Sequence, residues 1–251
     1  MKQGGMRCLL PWRSVALLFE KPSLRTRVSF ELAVTQLGGH CLYLSPQEVG
    51  LGQREPVPDV ARVLSRYVDC IVARVFKHET LTTLASAASI SVINALSDFE
   101  HPCQALADFL TIREHKGRLK GVRLAYVGDG NNVARSLAFL AAIMGVDFAI
   151  ASPFAFALDA DSLRRTRELA VSSGSVISVS TDPVEAVRNA DVVYTDTWTS
   201  MGQEKEAPMR REAFAGFQVN AGLLSHARPD VVFMHCLPAH HGEEVTTDVL
   251  N

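Results

Sequence analysis

Short apolar runs alternate with longer amphipathic stretches along almost the whole chain. Runs of strand length, rich in β-branched and aromatic residues, are Ser14–Phe19, His40–Leu44, Cys70–Phe76, Ser91–Leu96, Arg123–Val127, Asp147–Ser152, Val176–Val179, Val192–Thr195 and Val231–His235. Between them, apolar residues recur three and four positions apart over Arg25–Leu37, Val60–Val68, Leu81–Ala88, Val133–Met144 and Ser162–Ser172, the period of a helix with a buried face. Strands alternating with helices of this length predict parallel sheets covered by helices. The polar segment Arg113–Gly121 breaks the pattern after a helix opening at Pro102. The expected organisation is two α/β domains of similar size, 1–115 and 116–251.

The segments richest in reactive side chains follow strands: Lys21–Arg27, Arg74–Glu79, Asp98–Gln104, Gly128–Asn132, Asp196–Gly202 and Cys236–Glu244. Open parallel sheets bind ligands outside the carboxyl ends of their strands. Six such segments from two domains point to one site, in a cleft between them.

Composition narrows the class without changing the picture. At 251 residues, 47% hydrophobic and 21% charged, the chain is neither disordered nor fibrous. A net charge of −2 supplies no field that draws nucleic acid or an anionic membrane. Residues 1–120 hold 15 basic against 11 acidic side chains, and residues 121–251 hold 10 against 16. That split suits one anionic and one cationic substrate, and solvated surface produces such splits as well. Five cysteines (Cys8, Cys41, Cys70, Cys103, Cys236) without a C-x-x-C argue against a disulfide framework and for a reducing cytoplasm. The longest apolar run, Leu137–Val146, is far short of the roughly 20 residues of a membrane span.

K-P-S-L-R-T-R opens a helix directly after a strand. Ser23 can cap it, the first-turn amides lack internal partners, and Arg25 and Thr26 add a fork and a hydroxyl that match a phosphate. The competing reading is a solvated basic turn. H-P-C-Q places Pro102 at a first helical position, leaving His101 and Gln104 at a strand mouth to polarise a carbonyl, although a lone histidine there is often structural. G-D-G-N-N lacks the third glycine of a dinucleotide loop, with Val133 in its place, and no acidic residue closes the next strand. Asn131 and Asn132 suit a carboxylate or an amide instead. H-C-L-P-A-H-H-G-E-E resembles a metal cluster, yet Pro238 breaks any helix that would pair its histidines. Cys236 reads better as a substrate contact.

Taken together, F-E-K-P-S-L-R-T-R-V-S-F-E, A-R-V-F, H-P-C-Q-A-L-A-D, G-D-G-N-N, D-T-W-T-S-M-G-Q-E and H-C-L-P-A-H are similar to the motifs of ornithine carbamoyltransferases. They stand in family order over nearly the whole chain, and S-M-G-Q-E with H-C-L-P is specific to the ornithine branch. Departures are Leu24 for the first threonine of P-S-T-R-T-R, Gly50 for a frequent glutamine, and His241 for an arginine. The family also carries a helical segment before the first strand and a final helix opening with A-E-N-R, neither of which lies within this sequence. The resemblance therefore implies slow turnover for a chain ending at Asn251.

What the resemblance implies is transfer of a carbamoyl group from carbamoyl phosphate to the δ-amine of L-ornithine. Ser23, Leu24 (through its amide), Arg25 and Thr26 would hold the phosphate. Arg74, His101 and Gln104, with Pro102, Cys103, Cys236 and Leu237, would surround the carbamoyl group. Arg25, Arg74, His101 and Cys236 would be the catalytic residues. Asn132, Asp196, Ser200 and Met201 would take ornithine. The resemblance implies a homotrimer and neither a metal nor an organic cofactor. A related carbamoyltransferase with another amine acceptor, and a degenerate ligand-binding relative without turnover, remain the alternatives.

Overall fold

The computed structural model describes residues 8–200 and 202–251. Its contacts divide the chain into two compact units, Met1–Cys103 and Gln104–Asn251. In the first, β1 (Ser14–Phe19), α1 (Leu24–Gln36), β2 (His40–Leu44), α2 (Pro46–Val49), α3 (Val57–Leu64), β3 (Cys70–Arg74), α4 (His78–Ala87) and β4 (Ser91–Leu96) follow in order. The helix α5 (Pro102–Lys116) begins at the division and buries Ala105, Phe109 and Ile112 in the core of the second unit. There follow β5 (Arg123–Val127), α6 (Asn132–Met144), β6 (Asp147–Ala151), α7 (Ala160–Ser173), β7 (Ile177–Ser180), α8 (Pro183–Val187), β8 (Val192–Thr195), α9 (Ala207–Ala213), α10 (Ala221–Leu224), β9 (Val232–His235) and α11 (Thr247–Leu250).

Both sheets are wholly parallel, ordered β2-β1-β3-β4 and β7-β6-β5-β8-β9. Parallel strands are covered on both faces, and the two-residue alternation divides them between two cores. Ala16 and Leu18 of β1, with Ile71 and Ala73 of β3, pack against α3 and α4, whereas Val15, Leu17 and Phe19 face the side closed by Val34 of α1. In the second unit Leu124, Tyr126, Phe148, Ile150 and Tyr194 pack under α5 and α6, while Ala125, Val127, Ala149 and Val193 face Trp198, Phe214 and Phe217. Each large side chain buried this way contributes roughly 1.5–3 kcal/mol.

The strand order reverses beside the first strand of each sheet. In the first, β1 has β2 on one side and β3 on the other; in the second, β5 lies between β6 and β8. These are the switch points at which open parallel sheets take ligands. The loops leaving β1 and β3, and those leaving β5 and β8, carry most of the residues expected to bind.

Candidate active site

At the first switch point Ser23 has extended backbone and accepts a hydrogen bond from the Thr26 amide at 3.3 Å, which caps α1. Its hydroxyl donates to Thr26 Oγ1 at 3.0 Å, and Arg74 Nη1, from the end of β3, donates to the same oxygen at 3.3 Å. Ser23, Thr26 and Arg74 are thus one cluster built from two neighbouring strands. The first turn of α1 contains no acidic residue, so its exposed amides and two guanidiniums leave a positive cradle. Among the described residues Arg74 makes no ion pair, and its buried Nε has no hydrogen-bond partner. Burial, and then the nearby Arg25 charge, lower the Arg74 pKa to about 10. A dianion there would relieve both effects. Leu24 is 77% exposed, so the departure at this position leaves the cradle's backbone in place.

His101 lies against the same charges. Burial lowers its pKa to about 4, with Arg74 and Lys21 adding to the effect. At neutral pH the imidazole is therefore neutral, with one ring nitrogen able to donate and the other to accept. Pro102 opens α5, and the Cys103 thiol donates back to the Asn94 carbonyl at 3.4 Å. That side chain is turned towards β4, which leaves only its backbone for a ligand. Gln104 Nε2 donates to Asp108 Oδ1 at 2.9 Å.

At the second switch point Asn131 is a structural residue. Its Oδ1 accepts from the Val133 and Ala134 amides, capping α6, and its Nδ2 donates to Asp196 Oδ2 at 2.8 Å. Asn132 follows as the first helical residue. Asp196 is 7% exposed and also accepts from the Thr197 amide at 2.8 Å and from the Cys236 thiol at 3.0 Å. Burial pushes the Cys236 thiol up, with Asp196 adding to the shift. Cys236 is therefore a thiol donor and not a thiolate nucleophile. Ser200 sits in a turn in which its amide donates to Gln203 Oε1 at 3.1 Å; Met201 lies outside the described residues. Leu237 has a left-handed φ of 56°, and its amide donates to His235 Nδ1 at 2.8 Å. The chain turns sharply there beside Cys236.

The glycines of G-D-G-N-N have a local explanation. A Cβ on Gly130 would stand 2.4 Å from the Leu158 nitrogen. The protein's own backbone fills the approach that a dinucleotide phosphate would need. Two groups bring metal-type donors within 4.8 Å of one another, Asp196–His235–Cys236 and His240–Glu243–Glu244. Most of their donor atoms serve internal partners, although Glu244 Oε2 is buried without a hydrogen-bond partner among the described residues. His235 Nδ1 accepts from Leu237, so its Nε2 donates to Glu244 Oε1 at 3.3 Å; Glu243 pairs with Arg211 at 2.8 Å. Glu244, fully buried, anchors the turn after β9.

Three residues have no role assigned by the sequence motifs. Lys21, only 9% exposed, lies over the Phe76 ring at 5.1 Å, and burial and then Arg74 lower its pKa. Its signal is a lysine two residues past an apolar strand and directly before a proline. Asp108 sits one helical turn after Gln104, a carboxylate on an otherwise apolar face. Arg210 donates to Asp129 Oδ2 at 2.9 Å and to the Trp198 carbonyl at 3.0 Å. It thereby joins the loops after β5 and β8, and no local pattern pointed to it.

One parallel α/β unit has a positive cradle at its switch point and the other a buried carboxylate, an arrangement that suits an enzyme taking one anionic and one cationic substrate. Comparison with known proteins makes the class specific. Residues 1–114 match the model for the aspartate/ornithine carbamoyltransferase carbamoyl-P binding domain, and residues 120–251 match the Asp/Orn binding domain of the same family. The chain belongs to the aspartate/ornithine carbamoyltransferase family. It is 54% identical over 250 residues to the ornithine carbamoyltransferase of Pyrococcus abyssi, covering 100% of this chain and 79% of that one. The Bacillus subtilis ornithine carbamoyltransferase is 51% identical over 251 residues, with coverage of 100% and 79%. The solved structure of the Pyrococcus furiosus ornithine carbamoyltransferase superposes with a TM-score of 0.94 at 53% identity, over 98% of this chain and 78% of that one.

Proposed function

We propose that this protein is an ornithine carbamoyltransferase, moving the carbamoyl group of carbamoyl phosphate to the δ-amine of L-ornithine to give L-citrulline and phosphate. The observation that carries the reading is the Ser23–Thr26–Arg74 cluster, which joins helix-terminal amides, hydroxyls and a guanidinium at a switch point where, among the described residues, Arg74 has no carboxylate partner. The identity of about half of all positions with ornithine carbamoyltransferases supports the amine acceptor. Residues 1–115 serve carbamoyl phosphate and 116–251 serve ornithine, a division supported by the spans of the two family models.

Ser23, Arg25, Thr26 and the Leu24 amide hold the phosphate. The neutral δ-amine attacks the carbamoyl carbon, and Arg74 and the His101 N–H stabilise the oxyanion that forms. The tetrahedral species then loses phosphate, whose oxygen takes the proton released by the amine. Pro102 and Cys103 shape the carbamoyl pocket through their backbone, with Gln104, Cys236 and the Leu237 carbonyl beside the amide nitrogen. Asn132 and Met201 receive the ornithine carboxylate, and Asp196 and Ser200 its α-ammonium. An aliphatic amine is only about one part in two thousand neutral at pH 7, a deficit of ~4.6 kcal/mol. Orientation of two bound reactants supplies as much as ~7–11 kcal/mol, so no strong general base is required. A colorimetric citrulline assay with both substrates tests the whole reading; absence of product overturns it.

Carbamoyl phosphate binds without ornithine. Calorimetry should show that binding weakened at least about tenfold in Arg25→Ala, since a charged hydrogen bond is worth about 1.5–3 kcal/mol. Unchanged affinity removes Arg25 from the cradle. We further assign the enzyme to the cytoplasm, supported by five free thiols. It acts as a homotrimer in which the 46–58 segment completes a neighbouring site. Light scattering should give three chains of 27.4 kDa; a monodisperse monomer overturns the trimer.

A further inference from the structure

We propose that Asp108 fixes which end of the Gln104 amide faces the substrate, so that this position reads the –NH2 of the carbamoyl group. The inference rests on the carbamoyl-site reading of Gln104 given above. Gln104 and Asp108 lie one turn apart on α5, and Gln104 Nε2 donates to Asp108 Oδ1 at 2.9 Å. The second carboxylate oxygen accepts from the buried Tyr194 hydroxyl at 3.0 Å.

A carboxylate offers only acceptors. The amide must therefore present its NH2 to Asp108, because the flipped amide would set two acceptors against each other away from water. Gln104 Oε1 is held on the opposite side as an acceptor. An acceptor there pairs with the N–H of a carbamoyl group and finds no donor on an acetyl methyl. Asp108 is only 5% exposed, and among the described residues it makes no ion pair. Burial lifts its carboxyl to about 6, against the bonds from Gln104 and Tyr194. An ionised carboxylate kept at such a place, supported only by neutral groups, is a stability cost of the kind found at functional sites.

Two phosphonates of one shape separate the possibilities: phosphonoacetamide keeps the amide, and acetonylphosphonate has a methyl in its place. Calorimetry on the full chain should show wild type preferring the amide by roughly tenfold or more, as sites built to pair a polar substrate group do. Asp108→Asn both donates and accepts, so Gln104 can turn either way and the preference should fall several-fold. Gln104→Met, which leaves Asp108 and Tyr194 paired, should lose it. The wild-type preference should also decline between pH 7.5 and 5, where Asp108 gains a proton and becomes a donor, and this measurement needs no variant. The groups facing Asp108 are Gln104 on its own helix, Tyr194 of β8, Asp196 after it and Cys236 after β9; burial holds Tyr194 and Cys236 protonated throughout that range. A preference that survives in folded Asp108→Asn, in Gln104→Met, or across that pH range overturns the proposal. Equal wild-type binding of both analogues overturns the discrimination alone, whereas binding of neither marks failure of the carbamoyl phosphate reading itself.

Discussion

Replacing Arg74 with methionine should lower citrulline formation by about 10²–10³, the usual loss when one preorganised donor to a developing oxyanion is removed. The same variant should melt at or above the wild-type temperature. Arg74 is a buried guanidinium whose pKa is brought down to about 10, first by burial and then by Arg25. A cation whose folded-state pKa lies below its unfolded value opposes folding wherever it is charged, and neutral pH is far below both values. Methionine keeps much of the volume and removes the charge, while the lost hydrogen bond to Thr26 costs only about 1 kcal/mol. Rate and stability should therefore move in opposite directions. A variant that is less active and also clearly less stable would show Arg74 to be part of the framework rather than a strained functional group. Single-turnover measurements with saturating substrates would separate the lost chemistry from lost binding.

Arg210→Met should destabilise the protein by about 3–5 kcal/mol, the range for breaking one partner out of a buried ion pair. The Arg210 side chain is 7% exposed and that of Asp129 11%, with Nη1 and Oδ2 2.9 Å apart. Burial lifts the Asp129 carboxyl to about 6 even with Arg210 against it. Without Arg210 that pKa must rise further, since the attraction opposing burial is gone. The sign then determines the pH dependence. A carboxyl raised above its unfolded value penalises the fold when ionised; the penalty starts to shrink as pH falls through the folded-state value and is gone only below the unfolded one. Denaturant titrations should therefore show the deficit of Arg210→Met large at pH 8 and smaller at pH 5. Asp129→Asn added to the variant should recover much of the loss at pH 8. The affinity for ornithine should fall with stability, because Arg210 also holds the Trp198 carbonyl and so the turn that carries Ser200. An ornithine affinity unchanged in the folded variant would separate that turn from the substrate.

Period and composition placed the strands well because the central ones are buried on both faces and the edge strands keep the same β-rich composition. Ser14–Phe19, His40–Leu44, Ser91–Leu96, Arg123–Val127 and Val192–Thr195 form strands with those same limits. The run Cys70–Phe76 ends two residues earlier, at Arg74, where the chain leaves the sheet to present a guanidinium instead of another paired residue. The short helices α2, α8, α9, α10 and α11 left no trace in the periodicity. Segments of four to seven residues complete too few turns to show one, and local caps such as the Ser45–Glu48 box form them instead. The Gly50 departure belongs to the same kind of local geometry. It closes α2 at a φ of 56°, where a Cβ would stand 2.8 Å from that of Arg54, so a glutamine there would need a different turn.

The sequence by itself determined the alternation of elements, the order of the motifs and the residue types at each strand end, because backbone period, capping and turn chemistry act over a few neighbouring residues. It could also say that K-P-S-L-R-T-R suits an anion, since that rests on the first turn of one helix. Tertiary structure alone decided which distant groups share a charge environment. Lys21 and His101 are 80 positions apart and both are perturbed by Arg74. Tyr194 reaches Asp108 across 86 positions, and Arg210 reaches Asp129 across 81. These contacts arise from strand order, which brings β1 beside β3 and β5 beside β8. A protonation state or a donor orientation follows from what burial and strand order place against a group, and neither is written in its immediate neighbours.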